Sequence, residues 1–169
     1  MKMNKINIPL VKSFKYAIKG IISCIKTERN FRIHLSVIFY VIWFSSFYNF
    51  SIQQKSLLAI VVGFVIVTEM LNTAIEYIID LTSPEYNRLA GTIKDIAAGA
   101  VSVSALVSVI VGVFLFWDLE KIQNIVKCYL DKPLLICLLL ATLAVWLIII
   151  FLPNKLYARK KGYKNDQYK

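Results

Sequence analysis

Apolar residues fall in four long blocks along this chain, at about 33–50, 57–80, 96–117 and 133–152. Each block approaches the ~20 residues that a helix needs to cross ~30 Å of hydrocarbon. The stretch before them has a different rhythm. Over 9–28, Lys12, Lys15, Lys19 and Lys26 share one ~60° sector of a helical wheel, and Leu10, Phe14, Ile18, Ile21 and Ile25 lie opposite. Pro9 suits a first helical turn. This pattern predicts an amphipathic helix lying in the membrane interface with its lysines toward anionic headgroups. No apolar core followed by a small-residue cleavage site precedes it, so no cleaved signal peptide is expected.

The predicted fold class is therefore an all-α integral membrane protein: a surface helix followed by transmembrane helices. Residues 1–117 form one membrane domain with three spans. Residues 118–169 add an outward loop, a fourth span at about 133–152 and a basic cytoplasmic tail. Ser83-Pro84 marks a turn between the second and third spans. The third span opens on Ala97, Ala98, Gly99 and Ala100, small residues that let membrane helices approach closely.

Composition strengthens this picture. The chain is 58% hydrophobic yet carries a formal charge of +10. A soluble domain would be roughly half apolar, and a soluble nucleic-acid binder would lack the long apolar runs. No nucleic-acid partner is expected. Of the 20 Lys and Arg, eight lie between Lys2 and Arg32 and six follow Pro153. The positive-inside rule then places both termini and the 81–95 loop in the cytoplasm, and the 118–132 loop outside. Cys24, Cys128 and Cys137 have neither zinc-site nor disulfide spacing and are expected to pack as small apolar groups. Trp43, Trp117 and Trp146 are read as packing or interface anchors. Arg29 and Arg32 suit either positive-inside anchoring or attraction of phosphate.

One apolar block contains an energetic anomaly. Glu69, Asn72, Glu76 and Asp80 fall within about 80° of one another on a helix. Each charge near the bilayer centre costs a few kcal/mol on an insertion scale. A polar packing patch or an ion path would be the structural alternatives. Depth separates the residues, because Glu69 lies ~10 Å further into the membrane than Glu76. Metal and phosphates arriving from the cytoplasm would stop at the shallow acids. A lipid alcohol arriving from the bilayer would meet the deep one. Mg²⁺ takes one or two carboxylates together with nucleotide phosphates, which suits Glu76 with Glu28. Glu69 could then accept the proton of a lipid hydroxyl, and Lys94 could neutralise charge on a transferred phosphoryl group. No Walker-type glycine loop is present, so a nucleotide site would be of another kind.

The runs Glu28-Arg29-Asn30-Phe31-Arg32-Ile33-His34, Glu69-Met70-Leu71-Asn72-Thr73-Ala74-Ile75-Glu76 and Lys94-Asp95-Ile96-Ala97-Ala98-Gly99-Ala100-Val101 resemble the prokaryotic diacylglycerol kinase and undecaprenol kinase family over about residues 10–117. The first and last runs look like its Gram-positive branch, whose preferred substrate is undecaprenol. The resemblance implies a multi-pass enzyme of the bacterial cytoplasmic membrane, with its site facing the cytoplasm. It implies ATP as co-substrate, Mg²⁺ as cofactor, a lipid alcohol substrate, and a homotrimer with sites between protomers. Carried over, Glu69 is the general base and Glu28 and Glu76 hold the metal. Tyr16, Glu28, Asn72, Glu76, Glu85, Tyr86, Asn87, Lys94 and Asp95 contact ATP, with Asp80 in support. Asn30, His34 and Ala98 are expected to contact the substrate. Asn87 departs from the family's usual His, and Thr92 from a basic residue common in the branch. Residues 118–169 go beyond the family's three spans, and the extra span is expected to be a peripheral helix without chemistry. Undecaprenol is the first expectation for the substrate and diacylglycerol the second. A non-enzymatic ion-conducting or scaffold protein is the competing class.

Overall fold

A computed structural model describes residues 10–83, 85 and 87–151, with six helices and no strand among them. Helix α1, Leu10–Thr27, keeps its four lysines exposed and buries Cys24 alone. Its apolar face, including Leu10, Phe14 and Ile18, is also uncovered within the chain. An interface-lying helix needs such a free face for the bilayer. Pro9 and the tail 152–169 lie outside the described residues.

At Glu28 the backbone leaves the helical region (φ −104°, ψ 116°). This elbow separates α1 from α2, Arg29–Ser45. The first expected span, 33–50, is thus displaced toward the N-terminus. With 17 residues, α2 is about 26 Å long. It ends because Ser46, Phe47 and Tyr48 turn back onto the carbonyls of the last helical residues. That turn lets Tyr48 and Phe50 stack on each other and both meet Phe116 edge-on.

Helix α3, Ile52–Thr82, begins with a reciprocal cap. Ser51 Oγ accepts from the Gln54 N–H, and Gln54 Oε1 accepts from the Ser51 N–H. Helix α4, Arg88–Phe116, starts at Asn87, whose Oδ1 accepts from the N–H groups of Leu89 and Ala90. Together with α6, Pro133–Phe151, these are the described helices long and apolar enough to cross a membrane. Among the described helices, α3 and α4 pack most extensively on each other. At its centre Ser104 has no exposed surface, and its Oγ lies 2.8 Å from Thr68 Oγ1. Hydroxyl contacts of this kind hold membrane helices together where lipid removes any hydrophobic gain from association. Ser104→Leu should therefore overpack the hairpin and destabilise it by about 1–3 kcal/mol, seen as a lowered unfolding temperature in detergent.

The 118–132 segment is not a loop. It forms α5, Leu119–Asp131. Asp118 caps it, accepting from the Lys121 N–H at 3.1 Å. That hydrogen bond holds the Asp118 carboxyl below the usual range. The acids that balance the segment's charge hid an amphipathic helix. Tyr129 is buried and packs on Phe44 and Phe47 at the end of α2. Helix α6 then returns along α2. Tyr40 Oη donates to Thr142 Oγ1 at 3.2 Å, and Phe39 packs on Trp146. All three cysteines are free, but only Cys24 is buried; Cys137 is exposed on α6.

Candidate active site

The C-terminal ends of α1 and α3 meet the N-terminal ends of α2 and α4, and the polar residues gather there. The α3 stripe grades in burial along its length. Glu69 is 2% exposed, Asn72 is buried, Glu76 is half-buried and Asp80 is exposed. Asn72 Nδ2 donates to Glu76 Oε1 at 2.9 Å, one helical turn away. Asp80 pairs with Lys94 Nζ at 2.5 Å across the hairpin. Helical spacing puts the acids on one face, and the α3–α4 turn brings the lysine of the next helix opposite the last of them.

Glu28 arrives from the α1–α2 elbow. Its side chain does not cap α2; instead Oε1 lies 3.5 Å from Tyr77 Oη of α3. Tyr77 also donates to Thr27 Oγ1 at 2.9 Å, so one phenol ties both residues of the elbow to α3. Glu28 and Glu76 are both close enough to Glu69 for their charges to act on it. Cys24 sits in the same corner. Burial pushes its thiol pKa up, against the neighbouring Thr73 hydroxyl, and the charges of Glu28 and Glu69 push it further. This thiol is a packing group. Thr73 Oγ1 in turn donates to the Glu69 carbonyl at 3.0 Å.

Among the described residues, no three His, Cys, Asp or Glu side chains gather closely enough to hold a metal alone. The corner nevertheless fits a hard cation that brings its own phosphate oxygens. It offers Glu28 from the α1–α2 elbow and Glu76 from α3. It also leaves Asn72 Oδ1 buried without a hydrogen-bond partner. A buried acceptor in that state calls for a donor or cation from outside the chain.

The other expected site residues have the following surroundings. Tyr16 is exposed on α1, with Lys19 Nζ 5.8 Å from its ring centroid. It lies about 12 Å up the helix from Cys24. Glu85 and Asp95 are exposed. The Oδ1 of Asn87 is engaged in capping α4. Tyr86 lies outside the described residues. Asn30 and Ala98 are exposed, and His34 is half-buried. His34 is at one end of an apolar groove of about 360 Å³ between α2, α3 and α4, with Val61, Val65 and Phe116 along it.

Sequence reasoning missed two members of the corner. Tyr77 lies just outside the acidic stripe, and its position along the chain carries no signal of its contact with Glu28. Arg32 suits positive-inside anchoring or phosphate attraction by sequence, but it is only 5% exposed and donates to backbone carbonyls of α1 and α6. No periodicity signals either role, because each depends on how separate helices pack.

A helical membrane protein with graded carboxylates and a lysine at one end of its bundle is equipped to handle a phosphate ester at a membrane surface. Comparison with known proteins makes the class specific. Residues 15–116 match the family model of prokaryotic diacylglycerol kinase. The undecaprenol kinase of Bacillus subtilis is 38% identical over 105 residues, which span 62% of this chain and 85% of that protein. The diacylglycerol kinase of Synechocystis is 41% identical over 104 residues, 61% of this chain and 59% of that protein. The diacylglycerol kinase of Escherichia coli K12 is 29% identical over 109 residues, 64% of this chain and 89% of that protein. The chain belongs to the prokaryotic diacylglycerol kinase family, and it is a membrane lipid kinase, a phosphotransferase. Helices α5 and α6 lie beyond the matched residues.

Proposed function

We propose that this protein transfers the γ-phosphoryl group of ATP to undecaprenol, giving undecaprenyl phosphate. The observation that carries the kinase site is the graded stripe on α3, where a fully buried carboxylate lies about 10 Å from a half-buried one. Glu69 is the general base, set where a lipid hydroxyl arrives from the bilayer. Glu28 and Glu76 hold Mg²⁺, whose positive charge offsets that of the triphosphate when bound. Lys94, held by Asp80, places a further positive charge at the phosphate end. Asn72 orients Glu76 through its amide N–H. Glu85, Tyr86, Asn87 and Asp95 lie on or beside the α3–α4 connection and contact the nucleotide, as does Tyr16. The groove beside His34 is lined by apolar side chains that suit a hydrocarbon tail. The protein works as a homotrimer in the bacterial cytoplasmic membrane, with this end toward the cytoplasm.

The lipid preference is supported by the Bacillus subtilis relative, named an undecaprenol kinase and matched over most of its length. Purified protein supplied with ATP, Mg²⁺ and each lipid in mixed micelles tests it. Undecaprenol should be phosphorylated with a kcat/KM at least about tenfold above that of diacylglycerol, a transition-state difference of roughly 1.4 kcal/mol. The reverse order would make diacylglycerol the substrate, and transfer to neither lipid would count against the proposed substrate class.

A further inference from the structure

We propose that the C-terminal helix α6 is a positioning element of the kinase site, acting through Arg32 on the elbow that carries Glu28. This rests on the reading of Glu28 as a metal-holding residue. Arg32 lies one turn into α2 from that elbow, and its side chain is almost fully buried. Nη1 donates to the carbonyls of Ile25 and Lys26 at 3.1 and 3.2 Å. Nη2 donates to the carbonyl of Ile150 at 3.2 Å. Ile25 and Lys26 are in the last turn of α1, and Ile150 lies in the part of α6 next to Phe151, the last described residue. One guanidinium therefore caps the C-terminal end of α1 and binds a backbone carbonyl of α6, while its own backbone belongs to α2.

The arrangement is favourable on two physical grounds. The last carbonyls of α1 have no partners within that helix, and its C-terminal end carries partial negative charge that attracts a cation. A planar fork of donors is pre-organised to hold carbonyls of two helices at once, where a lysine offers a flexible point charge. The consequence concerns geometry. Glu28 is suspended between α1 and α2 at a single non-helical residue, so its position follows the angle between those helices. Tyr77 steadies the elbow from α3, and Arg32 steadies it from α1 and α6. Helix α6 is itself fixed along α2 by the Tyr40–Thr142 hydrogen bond and the Phe39–Trp146 ring contact. The segment beyond the family's matched residues thus reaches the site without touching substrate.

The test uses the full-length chain carrying Cys128→Ser and Cys137→Ser, so that buried Cys24 is the sole thiol. Arg32→Gln and the remote α6 pair Trp146→Ala with Thr142→Val are compared with this background. Two readouts are taken: the Mg²⁺ dependence of the rate at saturating ATP and lipid, and the rate of Cys24 labelling by a maleimide. Loosening the elbow should raise the Mg²⁺ half-saturation on the order of fivefold while changing the lipid KM by less than about twofold. Cys24 should label faster in both variants, and Arg32→Lys should give intermediate values. A wild-type Mg²⁺ midpoint in the α6 pair, whatever its labelling rate, would overturn the proposal, as would a rise in Mg²⁺ midpoint matched by an equal rise in lipid KM. Absence of lipid phosphorylation by the background protein would instead remove the kinase reading, while Cys24 labelling would still report whether α6 holds the elbow.

Discussion

Glu69→Gln should abolish phosphoryl transfer, with kcat down by about 10²–10⁴-fold, the usual contribution of a positioned base. The substitution keeps the shape of the side chain and removes its ability to accept a proton. Glu69 is buried under α1 beside Thr73 and Cys24, so a near-isosteric change is needed to leave the packing alone. Nucleotide binding should be unaffected, because the phosphate end of the stripe, at Glu76 and Asp80 with Lys94 of α4 opposite, is about two to three helical turns away along α3. Single-turnover kinetics with saturating ATP and lipid, together with the elution position of the detergent-solubilised protein, separate the cases. An assembled variant with unchanged turnover would eliminate Glu69 as the base. An ion-conducting protein would show no phosphoryl transfer in either form.

Much of this site is legible in the chain because it is helical. The three–four–four spacing of Glu69, Asn72, Glu76 and Asp80 fixes a common face without tertiary information. The order of their depths follows from the rise per residue. Lys94 and Asp80 are both legible as site residues, but their pairing across the α3–α4 hairpin is seen only in the structure. What escaped prediction depends on contacts between elements distant in sequence. Tyr77 reaches Glu28 across 49 positions, and Arg32 reaches Ile150 across 118. Helix boundaries were the other source of difference. Hydropathy extends the first span through Tyr48 and Phe50, but aromatic packing against Phe116 takes those residues out of the helix. In α5 the reverse happened: charges read as a solvated loop sit on the polar side of a capped amphipathic helix whose Tyr129 anchors it to α2. Apolar block length and charge balance describe what a segment tolerates, not where its backbone turns.

Glu76→Gln should give a different kind of defect from Glu69→Gln, and the contrast tests the division of the stripe. Glu76 is half-buried at the phosphate end, and its Oε1 accepts a hydrogen bond from Asn72 Nδ2. Replacing it by an amide removes one negative charge and one hard oxygen from the pair formed with Glu28. A site built from only two carboxylates has little to spare, since Mg²⁺ binds weakly to neutral amides and relies on charge. Perturbing even a group that supports a metal ligand commonly costs 10–100-fold in affinity, so the Mg²⁺ half-saturation should rise by at least about tenfold. The KM for ATP should rise with it, because metal and nucleotide bind as a unit. Raising Mg²⁺ should then restore a substantial part of kcat, whereas no Mg²⁺ concentration should rescue Glu69→Gln, whose missing function is proton acceptance. A titration of Mg²⁺ at fixed total ATP, run on both variants side by side, decides it. If Glu76→Gln shows an unchanged Mg²⁺ midpoint and a loss that metal cannot recover, Glu76 is not a metal-holding residue and the shallow and deep acids do not divide the work as argued.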